Sequence, residues 1–202
     1  MNKMSVILKW GGALLIAAAI GLTMFNMIDD GRAGAKADDA RQALTAQIAS
    51  VQRLNEPQDD TDVFPEQEPP TCSVEDIAYI GVLELPSLGL SLPVCDGWSY
   101  DLLQLAPCRY SGTPYGDSFV ICAHNYSSHF GRLGEMNPGD EATFTDMSGR
   151  RFTYKLVEQD IVAPDEAEKM TDSGYALTLF SCNWNGTARV TLRFDAVDAK
   201  KF

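Results

Sequence analysis

Among the 202 residues of this chain are five cysteines, at positions 72, 95, 108, 122 and 182, and only two histidines, His124 and His129. These are the side chains best suited to nucleophilic attack and proton transfer near neutral pH, and the odd cysteine count leaves a thiol over if the others pair. Cys182 closes the segment YALTLFSC, in which Leu177 and Leu179 alternate with Thr178, Phe180 and Cys182. Read as a strand, that alternation puts Cys182 on the face away from the leucines. In the next segment, ARVTLRFDAV, Val190, Leu192 and Phe194 share one face, and Arg189, Thr191 and Arg193 the other. Residues 183–187, containing Asn185-Gly186, suit a hairpin connection, and closing it brings Arg189 opposite Cys182. Arg193 lies further down the same ladder. A guanidinium beside a thiol favours the thiolate, which is the nucleophile, and offers fixed donors to a developing oxyanion. His124 ends the apolar run SFVICAH just before the polar stretch NYSSHFG, where a base can be held and yet reached. His129, in that turn-like stretch, reads as a surface residue.

The elements that must position these groups are short. Residues 78–86, 90–95, 119–123, 141–145, 151–157, 161–162, 175–182 and 188–196 read as strands, separated by signals such as Pro138-Gly139-Asp140 and Ser148-Gly149. Seven or eight such strands without long intervening helices predict a mainly β domain, a closed β-barrel, with short helices at 99–105 and 165–170. Upstream, residues 10–28 carry no charge and are long enough to span a bilayer core. Lys3 and Lys9 precede them and Asp29 and Asp30 follow, so residues 1–9 are expected in the cytoplasm and the rest of the chain outside. The rival is a cleaved signal peptide ending near Ala33-Gly34-Ala35, although its apolar core would be unusually long. Residues 29–54 read as a juxtamembrane stalk helix with Leu44, Ile48, Val51 and Leu54 on one face; a partner-binding helix is the alternative. Residues 55–70 hold six acids, no bases and four prolines, an extended acidic linker, which leaves 71–202 as the catalytic domain. The net charge of −12 argues against nucleic acid as a partner.

Several stretches resemble the sortase family. TLFSC at 178–182 is similar to its Thr-Leu-x-Thr-Cys signature, with Ser181 in place of the second threonine, and Arg189 stands where sortases carry their arginine. VICAHN at 120–125 resembles the segment with the sortase histidine, with Ala123 where glycine is common. IGVLELPSLGLSLPV, CRYSGTPYGDSFVI and GRLGEMNPGDEATFTDMSGRRFTYKL extend the likeness in unbroken order over about 77–194. The resemblance implies a sortase-like barrel and a transpeptidase with Cys182 as nucleophile, His124 as acid/base and Arg189 as electrostatic partner. It implies substrate contacts at Thr178, Ser181, Asn125 and Met170, the last in the loop at 163–174. Trp184 either lines the substrate groove or caps the barrel. The implied substrate is a secreted protein with a C-terminal LPxTG-like sorting signal, and the acceptor an amine of a peptidoglycan precursor or a pilin. No cofactor or metal is required. No second apolar segment follows the last strand and no Asp-Pro-aromatic lid motif occurs, from which protein anchoring is expected over pilus polymerisation. A hydrolytic cysteine peptidase and a non-enzymatic surface module are the other classes.

The remaining cysteines stay open at this level. Cys122 reads as a small buried hydrophobe, with a redox disulfide to Cys182 as the alternative. Cys72, Cys95 and Cys108 can supply a structural disulfide whose pairing the sequence does not assign. A zinc set of Cys108, Cys122, His124 and Cys182 lacks close-pair spacing.

Overall fold

The computed structural model describes residues 3–54, 67–116, 118–163, 165–166, 168–182 and 187–197, without the side chains of residues 3–8, Leu54 and Cys182. The chain divides into two compact units, Met1–Arg32 and Ala33–Phe202. The first is helical: it is the opening part of α1 (Lys3–Leu54), the one helix among the described residues long and apolar enough to cross a membrane. Its Trp10, Leu14, Leu15, Ile20 and Phe25 are exposed.

The second unit combines residues 33–54 of α1 with nine strands and two further short helices. The strands are β1 (Cys72–Val74), β2 (Ile77–Leu85), β3 (Leu90–Cys95), β4 (Cys108–Ser111), β5 (Phe119–Ala123), β6 (Glu141–Asp146), β7 (Arg151–Val162), β8 (Leu177–Cys182) and β9 (Arg189–Ala196). The helices are α2 (Tyr100–Leu103), which Ser99 caps by accepting a bond from the Leu102 amide, and α3 (Glu168–Thr171). The sheet runs β1-β2-β3-β4-β5-β8-β9-β7-β6, and β6 returns to pair with β2, closing an eight-strand barrel that β1 extends at one edge. At that closure Gly81 sits opposite Asp146, and a Cβ on Gly81 would stand 2.2 Å from the Thr145 carbonyl oxygen. Only glycine admits so close an approach.

The expected barrel is therefore present, with three differences of detail. The segments at 151–157 and 161–162 are one strand, β7, interrupted by an irregularity between Leu156 and Glu158 in its pairing with β9. A bulge reverses the face of every later residue, so one strand reads as two. The short β1 and β4, with three and four residues, have too little alternation to be read as strands. The third concerns the stripe at 38–54. Leu44 and Ile48 are not on a bare stalk but pack with Ala40 against Tyr79, Val82, Cys95, Cys108 and Met147 of the barrel. Cys72 Sγ donates to Gln47 Oε1 (3.0 Å) and Gln52 Nε2 to the Gly149 carbonyl (3.0 Å), so polar contacts fasten the same stretch. Of the acidic linker, 55–66 lies outside the described residues; beyond it Glu68 pairs with Arg109 at 2.7 Å.

Two apolar clusters result. Alternate residues of every long strand fill the barrel, with Phe130, Leu133 and Met136 as a plug from the segment between β5 and β6. The other cluster lies on the outer face of β2 to β5 and β8, under α1.

Candidate active site

β5 and β8 run parallel, with Ala123 opposite Ser181, and β8 and β9 run antiparallel, with Cys182 opposite Arg189. One residue past Ala123, His124 comes level with Cys182. Faces follow from the alternation: Phe119, Ile121 and Ala123 point into the barrel, as do Leu177, Leu179, Leu192 and Phe194. Val120, Cys122 and Phe180 belong to the outer cluster. By register, Cys182 and Arg189 are level across β8 and β9, and His124, one residue past Ala123, is level with them at the end where β5 and β8 stop. The Cys182 side chain and Trp184 lie outside the described residues, and His124 and Arg189 are half-buried. A thiol, an imidazole and a guanidinium at neighbouring register positions are residue types that acyl transfer can use.

The segment after β5 holds His124 from beyond the strand. Phe130 N donates to the His124 carbonyl (3.2 Å), and His129 N and Gly131 N both donate to the Tyr126 carbonyl (3.0 and 2.8 Å). A Cβ on Gly131 would come within 2.4 Å of the Asn125 carbonyl oxygen, so the turn closes only around glycine. The Tyr126 ring lies 5.0 Å from His124 and 5.4 Å from His129. This corrects the reading of His129 as a surface residue: it is fully buried. Its polar neighbours in sequence, Ser127 and Ser128, suggested a solvated turn, but the turn folds back against the barrel. A Cβ on Gly34 of α1 would be 3.0 Å from Ser128 Cβ, so the helix runs against this turn. Tyr126 was not singled out by sequence, since nothing in NYSSHFG marks an aromatic ring that touches both imidazoles.

Of the expected substrate contacts, Thr178 and Ser181 are buried. Ser181 points into the barrel and its Oγ donates to the Phe130 carbonyl (3.4 Å), tying β8 to the plug. Thr178 Oγ1 lies 3.2 Å from Ser173 Oγ, in the connection after α3. Met170 is buried in the outer cluster with Phe180 and Val162. Asn125 is half-buried beside His124.

Arg193, two positions along β9 on the same face as Thr191, is committed elsewhere. Its Nη1 reaches Glu158 (3.1 Å) and Asp160 (3.4 Å), its Nη2 donates to the Lys169 carbonyl (3.3 Å), and its guanidinium lies 5.9 Å from the Tyr175 ring. The two outward arginines of β9 therefore divide their work: Arg193 binds α3 and β7 to the sheet, and Arg189 stands in the row with Cys182.

The row next below the candidate site carries thiols. Cys122 is opposite Phe180 on one side and Cys108 on the other, and Cys108 is opposite Cys95. All three are buried. The neighbouring Cys108 thiol and burial together push the Cys95 thiol above its ordinary pKa. Among the described residues no group of histidine, cysteine and carboxylate side chains is arranged to hold a metal ion.

A family model described as a sortase domain matches residues 83–196. Sortase D of Bacillus subtilis (strain 168) is 31% identical over 94 residues, which cover 45% of this chain and 46% of that protein, so the match spans under half of the relative's length. Among solved structures, the sortase D5 transpeptidase of Clostridium perfringens is 19% identical, with a TM-score of 0.52 over 59% of this chain and 79% of that one. The sortase C of the same organism, determined with the C-terminal cell wall sorting motif, is 21% identical, with a TM-score of 0.54 over 80% of this chain and 91% of that one. At these identities the structures share the fold.

Proposed function

The chain belongs to the sortase family, and from that premise we propose that it is a cysteine transpeptidase with Cys182 as nucleophile, His124 as acid/base and Arg189 as electrostatic partner. The observation that carries the reading is the register: Cys182 is paired with Arg189 across β8 and β9, and His124 follows Ala123, which is paired with Ser181. The substrate is a secreted protein with a C-terminal LPxTG-like signal; that it is a C-terminal signal is supported by the sortase C structure determined with the C-terminal cell wall sorting motif.

In the first step the Cys182 thiolate attacks the threonine carbonyl of the signal. Arg189 stabilises the oxyanion, and His124 protonates the departing amine. The C–N bond breaks and a thioester remains on Cys182. In the second step an amine attacks the thioester, His124 takes its proton, and the thiolate leaves. The thioester conserves the energy of the amide, so no nucleotide is consumed. Asn125, next to His124, and Trp184, beside the nucleophile, are the side chains proposed to meet substrate. Thr178, Ser181 and Met170 shape the floor from below through the contacts described above. The acceptor is an amine of a peptidoglycan precursor, with a pilin lysine as the alternative. Residues 10–28 anchor the enzyme with its barrel outside the cell, which the apolar helix supports.

The test is mass spectrometry of the full chain in detergent, incubated with a panel of LPxTG-like peptides with and without amine acceptors. A thioester on Cys182 that converts to an amide with the acceptor, and is absent in Cys182→Ala, is the expected result. Hydrolysis alone in the presence of every acceptor would make the enzyme a peptidase. A folded Cys182→Ala protein that handles peptide like the wild type would end the nucleophile assignment. Peptidoglycan-stem and lysine amines in competition separate anchoring from pilus building.

A further inference from the structure

β3 and β4 meet at a single register pair among the described residues, and that pair is Cys95 with Cys108. The other seams of the barrel are longer: β4 and β5 share three pairs, β2 and β6 four. The one backbone bond beside the pair, from Cys95 N to the Pro107 carbonyl at 2.9 Å, adds little length. So the cylinder is closed most weakly where two thiols stand opposite each other. Residues on neighbouring strands in direct register have Cα atoms about 5 Å apart, within the span a disulfide bridges.

We infer that Cys95 and Cys108 form a disulfide in the exported protein, a covalent staple across the barrel's shortest seam. Cys108 has two thiol neighbours, and the contacts distinguish them. The Cys108 thiol donates to the Ala106 carbonyl at 3.5 Å and stands in register with Cys95, whereas the Cys122 thiol is turned to the Cys108 backbone carbonyl at 3.7 Å. Cys72 is further off in the same row, with Tyr79 between it and Cys95.

The oxidant is an external disulfide, either a low-molecular-weight thiol disulfide or the disulfide of an oxidoreductase. One cysteine thiol loses its proton, attacks a sulfur of that disulfide and expels a thiolate. The second cysteine, deprotonated in turn, attacks the mixed disulfide and expels the other thiolate. Two protein thiols are oxidised and one disulfide is reduced to two thiols. Both cysteines are fully buried once folded, so the exchange takes place as the chain folds. Only the source of the oxidant rests on the extracellular placement proposed above.

The staple matters to the site because β4 holds β5. Cys108 faces Cys122, two residues before His124, so loosening β4 loosens the strand that carries the imidazole. Tying residues 95 and 108 together also shortens the excursion of Trp98 and α2 in the unfolded chain.

The test uses the full chain expressed with its barrel exported, its thiols alkylated in denaturant without reduction. Chymotrypsin cuts between the two cysteines at Trp98 and Tyr100, so linked peptides report the pairing directly. A Cys95–Cys108 linked peptide is expected, together with a fall in Tm of about 5 °C or more on adding dithiothreitol. The double variant Cys95→Ala, Cys108→Ala should lose the dithiothreitol dependence. Both cysteines fully alkylated, in exported protein and in protein refolded with oxidised glutathione, would overturn the inference. So would a linked peptide joining Cys108 to Cys122. Neither outcome depends on transpeptidase activity, which the peptide assay reads separately.

Discussion

The inside of the barrel and the outer face of its β3, β4, β5 and β8 wall are both buried, yet they are built from different side chains and closed by different means. Inside, phenylalanine, leucine and isoleucine from alternate strand positions meet one another, with Phe130, Leu133 and Met136 as a plug. Outside, the strands offer Cys95, Cys108, Cys122, Val120 and Phe180, and what covers them comes from elsewhere: Ala40, Leu44 and Ile48 of α1, Ala106, Met147 and Met170. The interior is a core that the strands make for themselves. The outer face is a core only while the added pieces stay in place, and the candidate catalytic row lies at its upper end. The compact unit that holds the candidate site is therefore not the barrel alone: it begins in the helix, at Ala33.

The comparison is broken first by removing one large group from each side. Phe144 is fully buried between Phe119 (5.1 Å) and Phe152 (6.5 Å). Phe144→Ala should cost about 3–5 kcal/mol, read by thermal or denaturant unfolding of the full chain in detergent. Leu44, on α1 and fully buried against the outer face of the barrel, should cost about 2–4 kcal/mol as Leu44→Ala. If Leu44→Ala leaves stability unchanged while Phe144→Ala does not, the helix is a stalk after all and the outer cluster is no core. A domain cut at Thr71 loses Ala40, Leu44 and Ile48 together, so it should bind a hydrophobic dye that the full chain excludes.

How far the sequence reached follows from the same division. β3 and β5 were legible to the residue, and β8 and β9 nearly so, because period-2 alternation and the flanking turn residues are local signals. The register of Cys182 with Arg189 was legible too, since a five-residue connection leaves the hairpin little freedom. What was not legible depends on contacts between distant segments. Nothing local says that Leu44 and Ile48 will meet Cys95 and Cys108, rather than a membrane or a second chain. His129 is polar, its neighbours are polar, and only the return of its turn against the barrel buries it. β4 is too short to show a period, so the facing of Cys95 and Cys108 was invisible although both cysteines were noted.

Arg193 sharpens the comparison at smaller scale, because it fastens α3 over the outer face. Its side chain is 7% exposed while its partners Glu158 and Asp160 are 46% and 43% exposed. Solvent screens the carboxylates that remain, so Arg193→Met should cost about 2 kcal/mol rather than the full penalty for breaking a buried pair. It should also raise KM for peptide more than it lowers kcat, since Met170 and Ser173 would lose their anchorage while the Cys182 row stays intact. An equal loss in Arg193→Met and Arg189→Met, both in kcat, would mean that the two arginines do not divide their work.

The smallest effect is expected at the barrel closure. Asp146 is fully buried, and its Oδ1 accepts from Ser148 N (2.8 Å), Ser148 Oγ (2.6 Å) and Arg150 N (2.9 Å), while Oδ2 accepts from the Tyr115 hydroxyl (2.6 Å). That hydrogen bond and burial hold the Tyr115 phenol above its ordinary pKa, burial being the larger cause. Tyr115→Phe keeps the ring and its contact with Phe152 at 5.6 Å and removes only the donor. Three donors remain on the carboxylate, so the loss should be about 1 kcal/mol, a fall of a few degrees in Tm with peptide transfer unchanged. A loss as large as that of Phe144→Ala would mean that the turn at Asp146 governs the closing of the barrel, and that its interior is less self-sufficient than its side chains imply.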